Sequence, residues 1–281
     1  MVRSKRNGDL YFGIICGLAA LCGIGPLLWI VYDLVKLGAG RISPGFFTDA
    51  VRESGRAGGI APVLHSTFLI VLCCLGAAIP PGLGVAFYLT ENGENRFRKW
   101  LRASVDLLAT IPSIVFGLFG MAFFCRFLGL GFSILSGGLT LACMILPVLI
   151  RTTVAAVEAL PDHLRSSATA LGLTKTTILL RVLLPGATPG IVIGITIGTA
   201  RALSETAALI FTSGYATRTP DSLLDSGRSI SVHIYDLAMN IPNGAQGASA
   251  SALVLLIALL LINFLTNFFS ELWLKNLHSS K

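Results

Sequence analysis

The sequence predicts an all-α, polytopic membrane protein with six transmembrane helices. Charge is scarce: only 12% of the 281 residues are Asp, Glu, Lys or Arg, while 54% are hydrophobic. That is about half the charge of an average soluble domain, and the mean hydropathy is +0.78. Six apolar stretches are also long enough for the roughly 20 helical residues that cross a hydrocarbon core of about 30 Å. These stretches are continuous rather than alternating, which excludes a β-barrel. The composition equally excludes a soluble enzyme and a disordered chain. The net charge of +7 forms no continuous basic stripe, so nucleic acid is not an expected partner.

The predicted spans are 11–35, 62–89, 105–128, 138–157, 188–212 and 249–272. Arg3, Lys5 and Arg6 precede the first. It is too long for a signal-peptide core and ends in no A-x-A site, so it is expected to be retained. Pro80-Pro81, Pro112 and Pro147 punctuate the second, third and fourth spans, where prolines often mark bends. In the fifth, Gly190, Gly194 and Gly198 put small residues on one face, favouring close helix packing. Cys16, Cys22, Cys73, Cys74, Cys125 and Cys143 lie in apolar blocks without metal-ligand spacing, and read as small buried hydrophobes.

Lys/Arg asymmetry sets the expected orientation. The N-terminus, the 90–104 and 158–187 loops and the C-terminus carry twelve: Arg3, Lys5, Arg6, Arg96, Arg98, Lys99, Arg102, Arg165, Lys175, Arg181, Lys275 and Lys281. The other connections carry six: Lys36, Arg41, Arg52, Arg56, Arg218 and Arg228. Both termini are therefore expected in the cytoplasm. The expected organisation is a cytoplasmic N-terminus (1–10), a six-helix transmembrane domain (11–272) with a cytoplasmic loop at 158–187, and a cytoplasmic C-terminus (273–281).

That loop reads as two short helices. Pro161 suits a first helical position, Gly172 a left-handed C-terminal cap, and Thr174 the cap of a second helix ending before Pro185. Apolar residues on the exposed side make a knob for a groove in another protein; an interfacial pair lying on lipid is the alternative. Ser166-Ser167-Ala168, Gly172 and Val182-Leu183-Leu184-Pro185 resemble, at matching spacing, the EAA loop of ABC importer permeases. Gly172, Leu184 and Pro185 match, Val182 replaces Ile, and Ser166-Ser167 replace Glu-Ala. The resemblance implies a type I ABC importer permease fold whose loop docks on a separate ATPase subunit. No G-x-x-x-x-G-K-[ST] occurs in this chain. It is expected to bind no cofactor, ATP and Mg being used by the partner.

Charge inside the spans is concentrated in the fifth, where Arg201 and Glu205 sit four residues apart and are expected to share one helix face. Two readings stand. In one they are a structural ion pair. In the other Arg201 offers its donor fork to a travelling oxyanion, Glu205 holds the arginine, and Ser204 and Thr206 add hydroxyl donors. Arg151 is either a snorkelling anchor or part of the same path. Arg126 reads as a surface anchor near an entrance, and His65 as a hydrogen-bonded packing residue.

The stretches 111–120, 145–153 and 201–212 resemble signatures of the phosphate ABC importer permeases, and Ser231 to Asp236 resembles the PstA branch more than its sister PstC. The likeness runs from Tyr11 to Leu272. It implies an inorganic phosphate importer in the bacterial cytoplasmic (inner) membrane, with a PstC-like permease, a PstB-like ATPase dimer and a PstS-like periplasmic binding protein as partners, all set in membrane lipid. Rival readings are a sulfate or molybdate permease, the PstC-type subunit itself, or a non-transporting scaffold.

Overall fold

The computed structural model describes residues 2–91, 93 and 95–279, with side chains other than those of 2–11, 14 and 271–279. Arg3, Lys5, Arg6, Lys275 and Lys281, which bear on the expected orientation, lie outside these described side chains. Long helices dominate: α1 (Val2–Gly38), α3 (Ala61–Glu91), α6 (Ile134–Glu158), α9 (Leu184–Ser204) and α12 (Ala245–Ser279). Between α1 and α3 lie the short α2 (Pro44–Thr48) and a two-residue hairpin, β1 (Val51–Arg52) against antiparallel β2 (Ala57–Gly58).

Among the described residues five helices are long and apolar enough to cross a membrane, and a bent pair makes a sixth if it is counted as one span. That pair is α4 (Arg96–Thr110) and the segment Ser113–Phe127, which begins with α5 (Ser113–Gly120); the two meet at 101°. The uniform third span predicted at 105–128 is therefore broken. Proline at 112 disfavours the helical region for the residue before it, and Ile111 is extended at φ −69, ψ 130. Asn95 caps α4 by accepting the Arg98 backbone N–H at 2.7 Å, so the predicted 90–104 loop becomes helical from Arg96. After α5 the backbone widens into a π-turn over Met121–Phe127.

The fifth span is also interrupted. α9 stops at Ser204, Glu205 is extended (φ −75, ψ 126), and a single turn, α10 (Ala207–Ile210), follows. At the other end of α9 the second helix of the loop does not stop before Pro185. α8 (Lys175–Ile178) passes through a π-segment, Leu179–Leu183, directly into α9. Pro185 therefore lies inside a continuous helical run, at the start of α9, and donates no N–H to the preceding turn.

The core joins distant parts of the chain: Ile70 and Cys74 of α3, Phe116 of α5, Leu141 and Ile145 of α6, Ala202 of α9, Leu209 of α10 and Val232 of α11 (Ile230–Met239). α3 packs along α6, and α9 crosses the same helix. There a side chain at Gly190 would strike Ala156, and one at Gly194 would strike Thr152, as the glycine spacing anticipates. α1 is the exception. It leans chiefly on α12, and Trp29 remains 73% exposed. Cys16 and Cys22 on α1 are exposed rather than buried, and so is His65 on α3.

Candidate functional site

The hydroxyl and charged residues expected around Arg201 lie at the break between α9 and α10. Arg201 occupies the last turn of α9 and is half-buried. A cation there complements the partial negative charge of the helix's terminal carbonyls. Among the described residues no ion pair joins it to Glu205. The expected shared face does not exist, because the helix ends between them. Glu205 instead turns to the next element: its Oε1 accepts the Ala208 backbone N–H at 3.2 Å. Its carbonyl accepts the Ser231 hydroxyl of α11. Ser204 is exposed and returns its hydroxyl to the carbonyls of Ala200 (3.0 Å) and Arg201 (3.2 Å). Thr206 is half-buried at the entry to α10 without capping it. Irregular backbone at such a break is tolerated where it is buried or lines a cavity.

A cluster unforeseen in the sequence lies beside this break. Arg228 is 8% exposed and is not a solvated loop charge. Its Nη1 lies 2.9 Å from Asp236 Oδ2, its Nε donates to the Tyr215 carbonyl at 3.1 Å, and the guanidinium rests over the Tyr215 ring. Asn240 donates to the other Asp236 oxygen at 2.8 Å. His233 Nδ1 is 3.5 Å from Arg228 Nη1, while its buried Nε2 has no partner. Burial, with the Arg228 charge beside it, lowers the His233 pKa to about 4, Asp236 opposing the shift. Burial lowers the Arg228 pKa as well, again against Asp236. The only sequence signal was the turn of polar residues at apolar spacing in 231–236, which is α11.

Arg151 lies elsewhere, on α6 near its C-terminal end. Its Nε (3.0 Å) and Nη2 (2.6 Å) both donate to Asp106 Oδ1 of α4. One helical stretch further on, Arg102 Nη2 meets Glu158 Oε1 at 3.2 Å. Arg126 is exposed in the π-turn.

The loop residues divide by exposure. α7 (Asp162–Ala170) ends at Gly172, whose φ of +72 a residue with a β-carbon adopts only under strain. The Gly172 N–H bonds Thr169 O and the Leu173 N–H bonds Ala168 O, closing the helix end. Thr174 caps α8 by accepting the Thr177 N–H at 3.3 Å. Ser166, Ser167 and Gly172 face outward, with Leu171 78% exposed beside them. Ala168 is buried against Ile178 and Leu183, and Val182, Leu184 and Pro185 are half-buried. The loop therefore presents an apolar tip on a small packed base. Arg165 of α7 also reaches Glu91 at the end of α3 (3.0 Å), an ionic approach without hydrogen-bond geometry.

Residues 78–277 match the family of binding-protein-dependent transport system inner membrane components. The chain belongs to that family. It is a multi-pass permease component of an ABC importer and not an enzyme. It is 28% identical over 95% of both chains to the probable ABC transporter permease protein YqgI of Bacillus subtilis. It is 32% identical to the phosphate transport system permease protein PstA of Mycobacterium leprae, over 83% of this chain and 74% of that one. A solved bacterial alginate ABC transporter, in complex with its alginate-bound periplasmic protein, shares the fold at a TM-score of 0.66, with 18% identity and 95% of each chain covered. In this importer family fold, the α7–α8 knob and the α9 break lie at opposite ends of one continuous helical run.

Proposed function

We propose that this permease is the PstA-type subunit of an ATP-driven inorganic phosphate importer. It pairs with a PstC-like permease, receives phosphate from a PstS-like periplasmic binding protein, and is driven by a PstB-like ATPase dimer that uses ATP and Mg. Both termini lie on the cytoplasmic side of the inner membrane. The α7–α8 element, through Ser166, Ser167, Gly172 and the apolar tip built on Ala168, Val182, Leu184 and Pro185, docks on the ATPase.

The observation that carries the reading is Arg201: a half-buried guanidinium with no ion pair among the described residues, at the end of a broken helix. Such a group suits bidentate binding of a tetrahedral oxyanion. Glu205 serves this path by holding the α9–α10 break open rather than by neutralising the arginine. Ser204 and Thr206 supply hydroxyls beside it, and Arg151 stands further along. Two permeases open the path alternately to each side as the ATPase closes and reopens.

Reconstituted four-component complex, with and without this chain, tests the proposal. Phosphate-stimulated ATP hydrolysis and labelled phosphate uptake are expected only when the chain is present. Uptake that sulfate blocks and phosphate does not would assign another oxyanion, because guanidinium chemistry alone does not choose among them.

A further inference from the structure

The paired charges of α4 and α6 enclose a cleft of about 240 Å³. Its two ends are ionic, Asp106 with Arg151 at one and Arg102 with Glu158 at the other. Its apolar lining is Leu89, Val105, Ile150, Val154 and Ala155, of which the first three are buried. The helices run antiparallel here, since rising numbers on α4 meet falling numbers on α6. Both guanidiniums line the cleft, and their side chains are each half-exposed. Glu158 is the last residue of α6, so the cleft sits at the same end of the molecule as α7.

Donor accounting shows what the cleft offers. A guanidinium carries five N–H groups. Arg151 directs Nε and Nη2 to a single oxygen, and Arg102 directs only Nη2 to Glu158. Arg151 Nη1, with Arg102 Nε and Nη1, has no protein acceptor among the described residues. Two arginines with unused donors and two carboxylates sum to zero charge. Exposed pairs of this kind are weakly held, so an arriving anion of higher charge competes with the carboxylates for the same donors. A charge-neutral cradle also releases the anion again, which a bare cationic pocket does not.

We propose that this cleft is an inner oxyanion station, bound by Arg151 and Arg102, in which Asp106 is the exchangeable counter-charge. The carboxylate holds Arg151 while the station is empty and yields it to a passing oxyanion. The inference rests on the phosphate reading above and adds Arg102 and Asp106 to it.

The test uses the whole complex in proteoliposomes, with inorganic phosphate titrated on the side that holds ATP. Phosphate there occupies the station and slows uptake. Asp106→Asn is expected to lower the half-inhibiting concentration by about threefold, the size of one exposed charge pair; Asp106→Glu is expected to match the wild type. Arg102→Gln, at the other end of the cleft, is expected to raise that concentration by about the same factor. Unchanged inhibition in either assembled variant overturns the station, and Arg102→Gln still decides it if Asp106→Asn fails to assemble. A wild-type complex that carries sulfate and not phosphate overturns the phosphate reading separately. The same titration with sulfate then decides the station.

Discussion

The Glu205 carboxylate accepts the Ala208 backbone N–H at 3.2 Å and leaves Arg201, four residues earlier, without it. The acidic residue of the pair therefore maintains a broken helix. The basic one has no ion pair among the described residues. This separates two roles that a continuous helix would have merged.

Arg201→Gln should reduce phosphate uptake by about tenfold or more, the loss expected for one charge-assisted contact of about 1.5–3 kcal/mol. Co-purification of all subunits should be unchanged. Labelled uptake beside quantified assembly measures both, and wild-type uptake by an assembled variant would remove Arg201 from the path.

Glu205→Gln keeps an oxygen for the Ala208 N–H, whereas Glu205→Ala does not. Loss of such a cap costs about 1 kcal/mol. Hydrogen exchange over 205–210 should therefore quicken in the alanine variant and stay near wild type in the glutamine variant. Equal exchange in both would show that the cap does not hold the break.

At Gly172, with φ +72, a β-branched residue meets a conformation that costs an L-residue roughly 1–2 kcal/mol. Gly172→Val should weaken ATPase association and uncouple hydrolysis from uptake, while Gly172→Asn retains most of both. The ratio of ATP hydrolysed to phosphate carried is the readout. An unchanged ratio in the valine variant would argue against docking through this turn.

The buried cluster around α11 makes stability depend on pH. The His233 pKa is lowered to about 4 from its ordinary 6.5, so the unfolded chain takes up the proton first. Stability is intact above the ordinary value, falls as pH drops from there toward the folded value, and then levels. The whole loss is about 3 kcal/mol. Thermal unfolding in detergent across that window should show the decline, and His233→Gln should flatten it.

Arg228→Ala leaves the Asp236 carboxylate buried without its cation, which typically costs about 3–5 kcal/mol. Thermal unfolding should register that loss, and Arg228→Ala with Asp236→Ala should recover part of it. A single variant as stable as the wild type would mean that the pair is solvated after all.

Much of this was legible in the chain itself. Long apolar runs and the Gly172 helix end carry their information locally. A helix must bury or expose its own residues to lipid over a set length, and a cap acts within a turn. Arg201, Arg151 and the loop residues were singled out by type and position for the same reason. Their partners were not. Asp106 is separated from Arg151 by 45 positions and Ser231 from Glu205 by 26, distances over which periodicity says nothing.

The amino-acid sequence by itself determined that the chain is a helical membrane permease with a two-helix loop, because apolar length and turn chemistry are properties of neighbouring residues. Only the tertiary structure decided that the third and fifth spans break, that the Glu205 carbonyl meets Ser231, and that Asp106 meets Arg151. Opening a helix exposes backbone groups that must be satisfied. At the break the Glu205 carbonyl is satisfied by the Ser231 hydroxyl of a distant helix, and the Ala208 N–H by the Glu205 carboxylate.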